Sequence, residues 1–344
     1  MKATAQQQKQ NNLRLQLWIA IASAILLIAK FVGYFITNSV SILTDALESI
    51  VNVAAALIGL YSLYISAKPR DINHPYGHGK AEFVSAAIEG TLVLSAGAII
   101  VYKGIKNFIV PEPIHQVDTG IYLIAGTAIV NWLLGYITLQ QGKRNNSLAL
   151  IASGKHLQSD SYSTFAIIAG LVIITITGWV WVDPLVAFIF GIVIIVTGYK
   201  IVRKSIAGIM DEADMLLLGK MVDVLNRNRR DNWVDLHNLR VIKYGNVLHV
   251  DCHLTVPWYL NIAEAHTEID YLTQLIRNDF GESLEVFVHS DGCRYFQCHL
   301  CNKNACPVRQ HPFKKEIIWT LNNVLENKQH SWEDVLEHTG EKSS

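Results

Sequence analysis

The chain has 344 residues, of which 51% are apolar and only 17% charged. A wholly soluble protein carries nearer a quarter charged residues, so this composition argues against one. The formal net charge is zero, which excludes the strongly basic surface expected of a nucleic-acid binder. Its 29 basic and 29 acidic residues are also unevenly spread: 24 lie in positions 1–205 and 34 in the last 139. The pattern predicts an apolar front and a water-soluble back.

Met1 to Arg14 is rich in Gln and Asn, and the apolar run after it is too long for a signal-peptide core, so no cleavable leader is expected. Six stretches reach the roughly 20 apolar residues that a membrane helix needs: 15–36, 40–66, 83–108, 119–140, 148–177 and 183–202. Breaks fall at Lys68-Pro69, Pro111-Glu112-Pro113 and Asp183-Pro184. Lys and Arg gather before the first span, in the second and fourth connectors, and at the end of the sixth; the other connectors have none. Basic residues mark the cytoplasmic side, so both termini are expected there, in a multi-pass protein of a bacterial inner membrane.

After Met210 the periodicities change. Asp211–Arg230 reads as a helix, 236–243 and 247–256 as strands joined at Tyr244-Gly245-Asn246, Ile262–Phe280 as an amphipathic helix, and Leu284–His289 as a third strand. That order predicts an α+β domain of the ferredoxin-like kind. The expected fold is a membrane all-α bundle of six helices over 1–208, a cytoplasmic ferredoxin-like domain over 209–291, and a Cys-rich extension over 292–344 with a final helix near 313–338.

Three groups of residues can bind metal. In the second span Asp45, Glu48 and Asn52 are three and four apart, so they share a helical face; in the fifth, His156 and Asp160 are four apart. Ionisable groups in a bilayer are costly unless paired or coordinating, which points to a functional site, although a buried network that fixes helix packing is the plainer alternative. In the second connector, Asp71, His74 and His78 are either a surface metal site or solvated residues of a Gly-rich turn. In the tail, Cys293, Cys298, Cys301 and Cys306 have a spacing suited to one structural zinc. Such an ion would supply folding energy to a segment, 291–311, with few large apolar residues. Surface thiols, a labile disulfide and an iron–sulfur cluster are the other readings of these cysteines. Cys252 is expected to be buried and inert.

The run Ser39-Val-Ser-Ile-Leu43, the connector His74-Pro-Tyr-Gly-His-Gly-Lys80-Ala-Glu82 and the pair His156/Asp160 resemble the cation diffusion facilitator family over roughly 13–291. The resemblance implies a homodimeric divalent-cation/proton antiporter in membrane lipid, not an enzyme, with a transport site at Glu48, Asn52, His156 and Asp160. Zinc-type members usually have His or Asp and then Asp at the first two positions, so this chain lacks one negative charge; Asp45 is the candidate to restore it. The resemblance also implies a peripheral site at Asp71, His74 and His78. It implies a cytoplasmic site at His253, His266, His289 and Asp291, and a charge interlock between Lys80 and Asp211. The cargo is expected to be Zn²⁺, with Fe²⁺, Mn²⁺ or Co²⁺ as alternatives. A membrane-bound metal or redox sensor using the Cys-rich part is the rival class.

Overall fold

The computed structural model describes residues 5–37, 40–109, 120–177, 181–244, 247–281 and 284–339. The chain divides at Met210/Asp211 into two compact units. The first is all helix: α1 (Ala5–Thr37), α2 (Val40–Ser66), α3 (Ala81–Ile109), α4 (Gly120–Asn145), α5 (Leu148–Thr177) and α6 (Val182–Ile209). At 1.5 Å per residue even the shortest, α4 with 26 residues, is about 39 Å long, enough to cross a bilayer. By length and composition together, Gln10–Val32 and Ala81–Lys106 qualify as spans among the described residues. The connectors expected on the outer side, and the Gly245-Asn246 turn, fall mainly outside the described residues.

Small residues set how closely these helices pack. A Cβ on Gly198 of α6 would meet the Leu94 backbone nitrogen of α3 at 2.6 Å. One on Gly154 of α5 would meet that of Leu139 of α4, also at 2.6 Å. Glycine at these crossings lets two backbones touch, which replaces the hydrophobic drive that lipid cannot provide.

The second unit is built on α7 (Met215–Arg227), β1 (Asp235–Tyr244), β2 (Val247–Val256), α8 (Ile262–Phe280) and β3 (Leu284–Gly292), with sheet order β1-β2-β3. A two-residue connection joins β1 to β2, which an antiparallel pair alone allows; β2 and β3 run parallel, with α8 as the crossover. α7 begins later than the sequence suggests. Asp211 has a left-handed φ of 58°, and Asp214 caps the helix by accepting from the Leu217 N–H at 3.1 Å. Asn261 and Glu264 form a reciprocal capping box that starts α8 at the expected residue.

The tail departs from expectation. Instead of one helix near 313–338 there is extended chain through Thr320, then short helices α9 (Leu321–Val324) and α10 (Trp332–Thr339). Pro312 and the pull of the core explain this. Ile317 and Trp319 alternate inward with Ile318 exposed, a strand-like pattern that buries two large side chains in one short run. Leu300, Ile317, Trp319, Val324 and Val335 join the core formed by Leu218, Leu225, Leu236, Leu254 and Leu272. The tail therefore shares the domain's core. Arg229 clamps it, donating to the carbonyls of Ile317 and Val234 at 2.6 Å each and stacking on Trp319.

Candidate metal sites

In the helical unit, Asn52 and His156 are both buried, on α2 and α5. The His156 Nε2 lies 3.0 Å from the Asn52 Oδ1 and 3.7 Å from the Asp160 Oδ2. Two oxygens from different helices thus converge on one ring nitrogen, whose lone pair is the usual route of histidine to a metal. The His156 Nδ1 makes no hydrogen bond among the described residues. The side chains of Asp45 and Glu48 lie outside the described residues, although both positions are on α2. Sequence reasoning passed over Lys30, which is buried on α1 and donates to the Ser49 hydroxyl at 2.7 Å.

The second connector holds a compact triad. His74 Nδ1 is 3.0 Å from one Asp71 oxygen, and His78 Nε2 is 3.4 Å from the other. The His74 N–H also donates to Asp71 at 2.7 Å, and the two imidazoles lie 4.3 Å apart. Partial desolvation raises the Asp71 carboxyl, but the hydrogen bonds from His74 and the nearby imidazole charges bring it below its ordinary range. One atom from each of the three residues falls within 4.8 Å of the others, close enough for a single ion. Lys80, at the end of this connector, donates to the Ile209 carbonyl at 3.3 Å.

In the second unit the register places His253 of β2 beside His289 of β3, with ring centroids 4.6 Å apart. Asp291 reaches both: its Oδ2 is 3.2 Å from His253 Nδ1 and its Oδ1 is 3.4 Å from His289 Nε2. The structure adds His237 of β1, whose Nε2 is 3.4 Å from Asp291 Oδ2. His237, His253 and Asp291 are the group with ligand atoms within 4.8 Å of one another. Burial pushes the His237 imidazole below its ordinary value, against the pull of Asp235 and Asp291, and so favours the neutral form that ligates metal. His266 stands outside this group, exposed on α8 and paired with Asp270 at 3.7 Å.

The four tail cysteines are free and half-buried, and among the described residues they do not form a group as tight as the two above. They remain neighbours. Burial and the charges of Cys301, Cys298 and Cys306 push the Cys293 thiol up, against a backbone hydrogen bond involving Trp258. Burial and Cys306 push the Tyr259 hydroxyl up to about 12. Arg309 draws the segment together by donating to the carbonyls of Cys298, Cys301 and Lys303, each at 2.9 Å. Cys252 is buried in the core, and burial pushes its thiol up to about 12, which makes it inert as expected.

Residues 16–210 match the cation efflux transmembrane domain, and residues 217–293 match the cytoplasmic domain of cation efflux proteins. The chain is similar to an uncharacterized transporter of Synechocystis, with 32% identity over 237 residues, 69% of this chain and 76% of that one. It is also similar to the cation-efflux pump FieF of Escherichia fergusonii, with 28% identity over 284 residues, 80% of this chain and 90% of that one. FieF of Salmonella agona is 29% identical over 280 residues, with the same shares covered. Between them the two domain matches account for most of the chain from residue 16 to 293, and they make it a member of the cation diffusion facilitator family of membrane cation-efflux transporters.

Proposed function

We propose that the protein is a homodimeric exporter that moves a divalent transition-metal cation out of the cytoplasm in exchange for protons. In this reading all six long helices span the membrane, both termini are cytoplasmic, and the second unit is a ferredoxin-like regulatory domain. The observation that carries it is the buried convergence of Asn52 and Asp160 on His156 Nε2. A mixed nitrogen and oxygen set suits Zn²⁺, Fe²⁺, Mn²⁺ or Co²⁺ better than a thiolate-seeking ion, and Zn²⁺ is the first candidate.

The metal enters between α2 and α5 while the site is open to the cytoplasm, and rocking of the helices then opens it to the other side. Protons compete with the metal for His156 and for the carboxylates, so proton entry drives metal release. Asp71, His74 and His78 hold a second ion in the connector. His253, His289, Asp291, His237 and, through the dimer, His266 hold metal in the cytoplasmic domain and tighten the dimer when cytoplasmic metal is high. Lys80 and Asp211 form the charge interlock between the two parts.

Metal-by-metal uptake into inverted vesicles, with and without an imposed pH gradient, tests this reading. Uptake that follows the pH gradient supports an antiporter. Metal binding without flux identifies a sensor instead, and flux indifferent to the pH gradient removes the proton coupling.

A further inference from the structure

Glu89 lies on α3 in the interior of the helical unit and is fully buried. Both its carboxyl oxygens rest against a single hydroxyl, that of Ser153 on α5, at 3.0 and 2.9 Å. The same hydroxyl accepts from Gln16 Nε2 of α1 at 3.2 Å, and Gln16 also donates to the Ala56 carbonyl of α2. The space is made by Gly59 of α2. A Cβ there would come within 2.8 Å of Glu89 Oε1, 2.6 Å of Gln16 Nε2 and 3.2 Å of Ser153 Oγ. On the α6 side, Gly90 packs against Ile201 and Val202. The groups placed against Glu89 and its helix, Gln16 of α1, Gly59 of α2, Ser153 of α5 and Ile201 and Val202 of α6, are all neutral and none titrates. An ionised carboxylate served by one neutral hydroxyl is badly solvated in such a place, whereas a carboxylic acid can donate to Ser153 and is satisfied.

The position of Glu89 gives this proton a use. Ser153 is three residues before His156 on α5, a rise of about 4.5 Å. Gly59 is seven residues after Asn52 on α2, about 10 Å in the opposite chain direction. One level further from the transport site, Glu82 sits seven residues before Glu89 on α3; it is buried and accepts from Ser66 of α2 and from Ser147, the residue just before α5. Three tiers thus run between α2, α3 and α5: Asn52 with His156 and Asp160, then Glu89, then Glu82, which adjoins the connector carrying Asp71, His74 and His78.

We propose that Glu89 is a proton-binding site of the transport cycle, which gives up one proton towards Glu82 when a dication occupies the Asn52–His156–Asp160 site and regains it when the metal leaves. The proton leaves the Glu89 carboxylic acid as H⁺ and passes by way of the Glu82 carboxylate to water at the connector, so Glu82 ends as it began and one positive charge leaves as two arrive. Glu89 supplies at one remove the negative charge that Asn52 does not. The proposal rests on the transport-site reading above.

The test counts protons released when Zn²⁺ binds to the detergent-solubilised full-length protein in weak buffer. Glu89→Gln keeps the shape and the contact with Ser153, and it should release about one proton fewer per protomer, with a flatter pH dependence of Zn²⁺ affinity. An unchanged count and slope overturns the proposal. If Glu89→Gln fails to fold, Ser153→Ala serves: without its hydroxyl partner the carboxyl keeps its proton to higher pH, and the pH midpoint of Zn²⁺ binding should move upward. An unmoved midpoint overturns the proposal equally. Asp160→Ala is the control. If it binds as many Zn²⁺ per protomer as the unaltered protein, the transport-site reading fails; if it binds one fewer, while Glu89→Gln behaves as the unaltered protein, only the role of Glu89 fails.

Discussion

The helical unit and the cytoplasmic unit both bring histidine and carboxylate together, but by opposite means. In the helical unit the partners Asn52 and His156 are 104 positions apart, joined only because glycines and serines let α2 and α5 pack around polar groups. In the cytoplasmic unit the register of β2 and β3 delivers His253, His289 and Asp291, and the neighbouring β1 adds His237. The first group is buried in a setting where a charge without a partner is costly, so each candidate ligand there should be hard to replace. The second has partly exposed candidate ligands and a surplus of them, so any metal held there should be lost by degrees.

The largest effect that this contrast predicts is at the first site. Asp160→Ala or His156→Ala should cut vesicle flux by more than the roughly 10–100-fold typical of changes to groups that merely support a metal ligand. Folding and dimerisation should survive, because each removes a ligand without adding bulk. Flux at the unaltered level in Asp160→Ala would remove this site from the mechanism.

The cytoplasmic site comes next. The domain from about Met210 onward has its own core and should be soluble and dimeric. His253→Ala, at the centre of the ring contacts with His237 and His289, should weaken zinc-dependent tightening of that dimer without abolishing it and leave vesicle flux reduced but present. His266→Ala should have the smaller effect in the same sedimentation assay, since His266 stands apart within one protomer. Association indifferent to both zinc and chelator would leave this domain without a regulatory role.

How much of this was legible beforehand follows the same division. The six long helices, β2 and α8 follow directly from runs and periodicity, and the pair His156/Asp160 from helical spacing, while the side chains of Asp45 and Glu48 lie outside the described residues. His237 was missed for a physical reason. β1 does not alternate: residues 235–239 are all buried, and Asn238 turns to a φ of 52° so that its N–H reaches the Glu326 carbonyl at 2.8 Å. With the period broken, no sequence pattern shows which way His237 faces. Glu89 was missed differently, as an acid in mid-span whose Ser153, Gln16 and Gly59 neighbours lie on three other helices. The tail was misread because its large side chains are completed by a core formed elsewhere in the chain.

A moderate effect is expected at Asn52. Asn52→Asp places a hard anionic oxygen beside His156 Nε2, so metal affinity should rise several-fold and the ranking of Zn²⁺ against Mn²⁺ and Fe²⁺ should shift. Release should become more acid-sensitive, because one more carboxylate must be protonated. Affinity and selectivity unchanged across the metals would show that Asn52 does not touch the ion.

The tail cysteines can be judged by elemental analysis of the cytoplasmic domain with its histidine site removed. We propose that about one zinc per chain remains and is lost in Cys298→Ser/Cys301→Ser. Because Leu300 and Trp319 already anchor the tail in the core, removing that zinc should loosen the 293–309 segment and leave the domain folded. Four freely reactive thiols in metal-free protein would overturn this, and brown protein with visible absorbance would indicate an iron–sulfur cluster.

The smallest effect is a pH dependence of stability, and it separates the cytoplasmic unit from the helical one again. His330 of the tail is buried, with its Nδ1 2.7 Å from Asp235 Oδ1 and its Nε2 3.1 Å from the Asn323 carbonyl. Both ring nitrogens face acceptors, which suits the doubly protonated imidazolium. Burial opposes that charge, but the hydrogen bond and charge of Asp235, with the Asn323 carbonyl, outweigh it and raise His330 above its ordinary 6.5. A group raised on folding contributes its full stabilisation below the unfolded value and loses it as pH climbs through the folded one. The isolated domain should therefore melt at progressively lower temperature as pH rises from about 6.5 into the weakly alkaline range. His330→Gln can offer one donor to Asp235 but no charge, so it should be less stable at pH 6 and should flatten that slope. Asp235 also lies 3.7 Å from His237 Nδ1, so the same variant should slightly alter zinc affinity at the strand site. A melting curve for His330→Gln parallel to that of the unaltered domain across this range would show that folding does not change the protonation of His330.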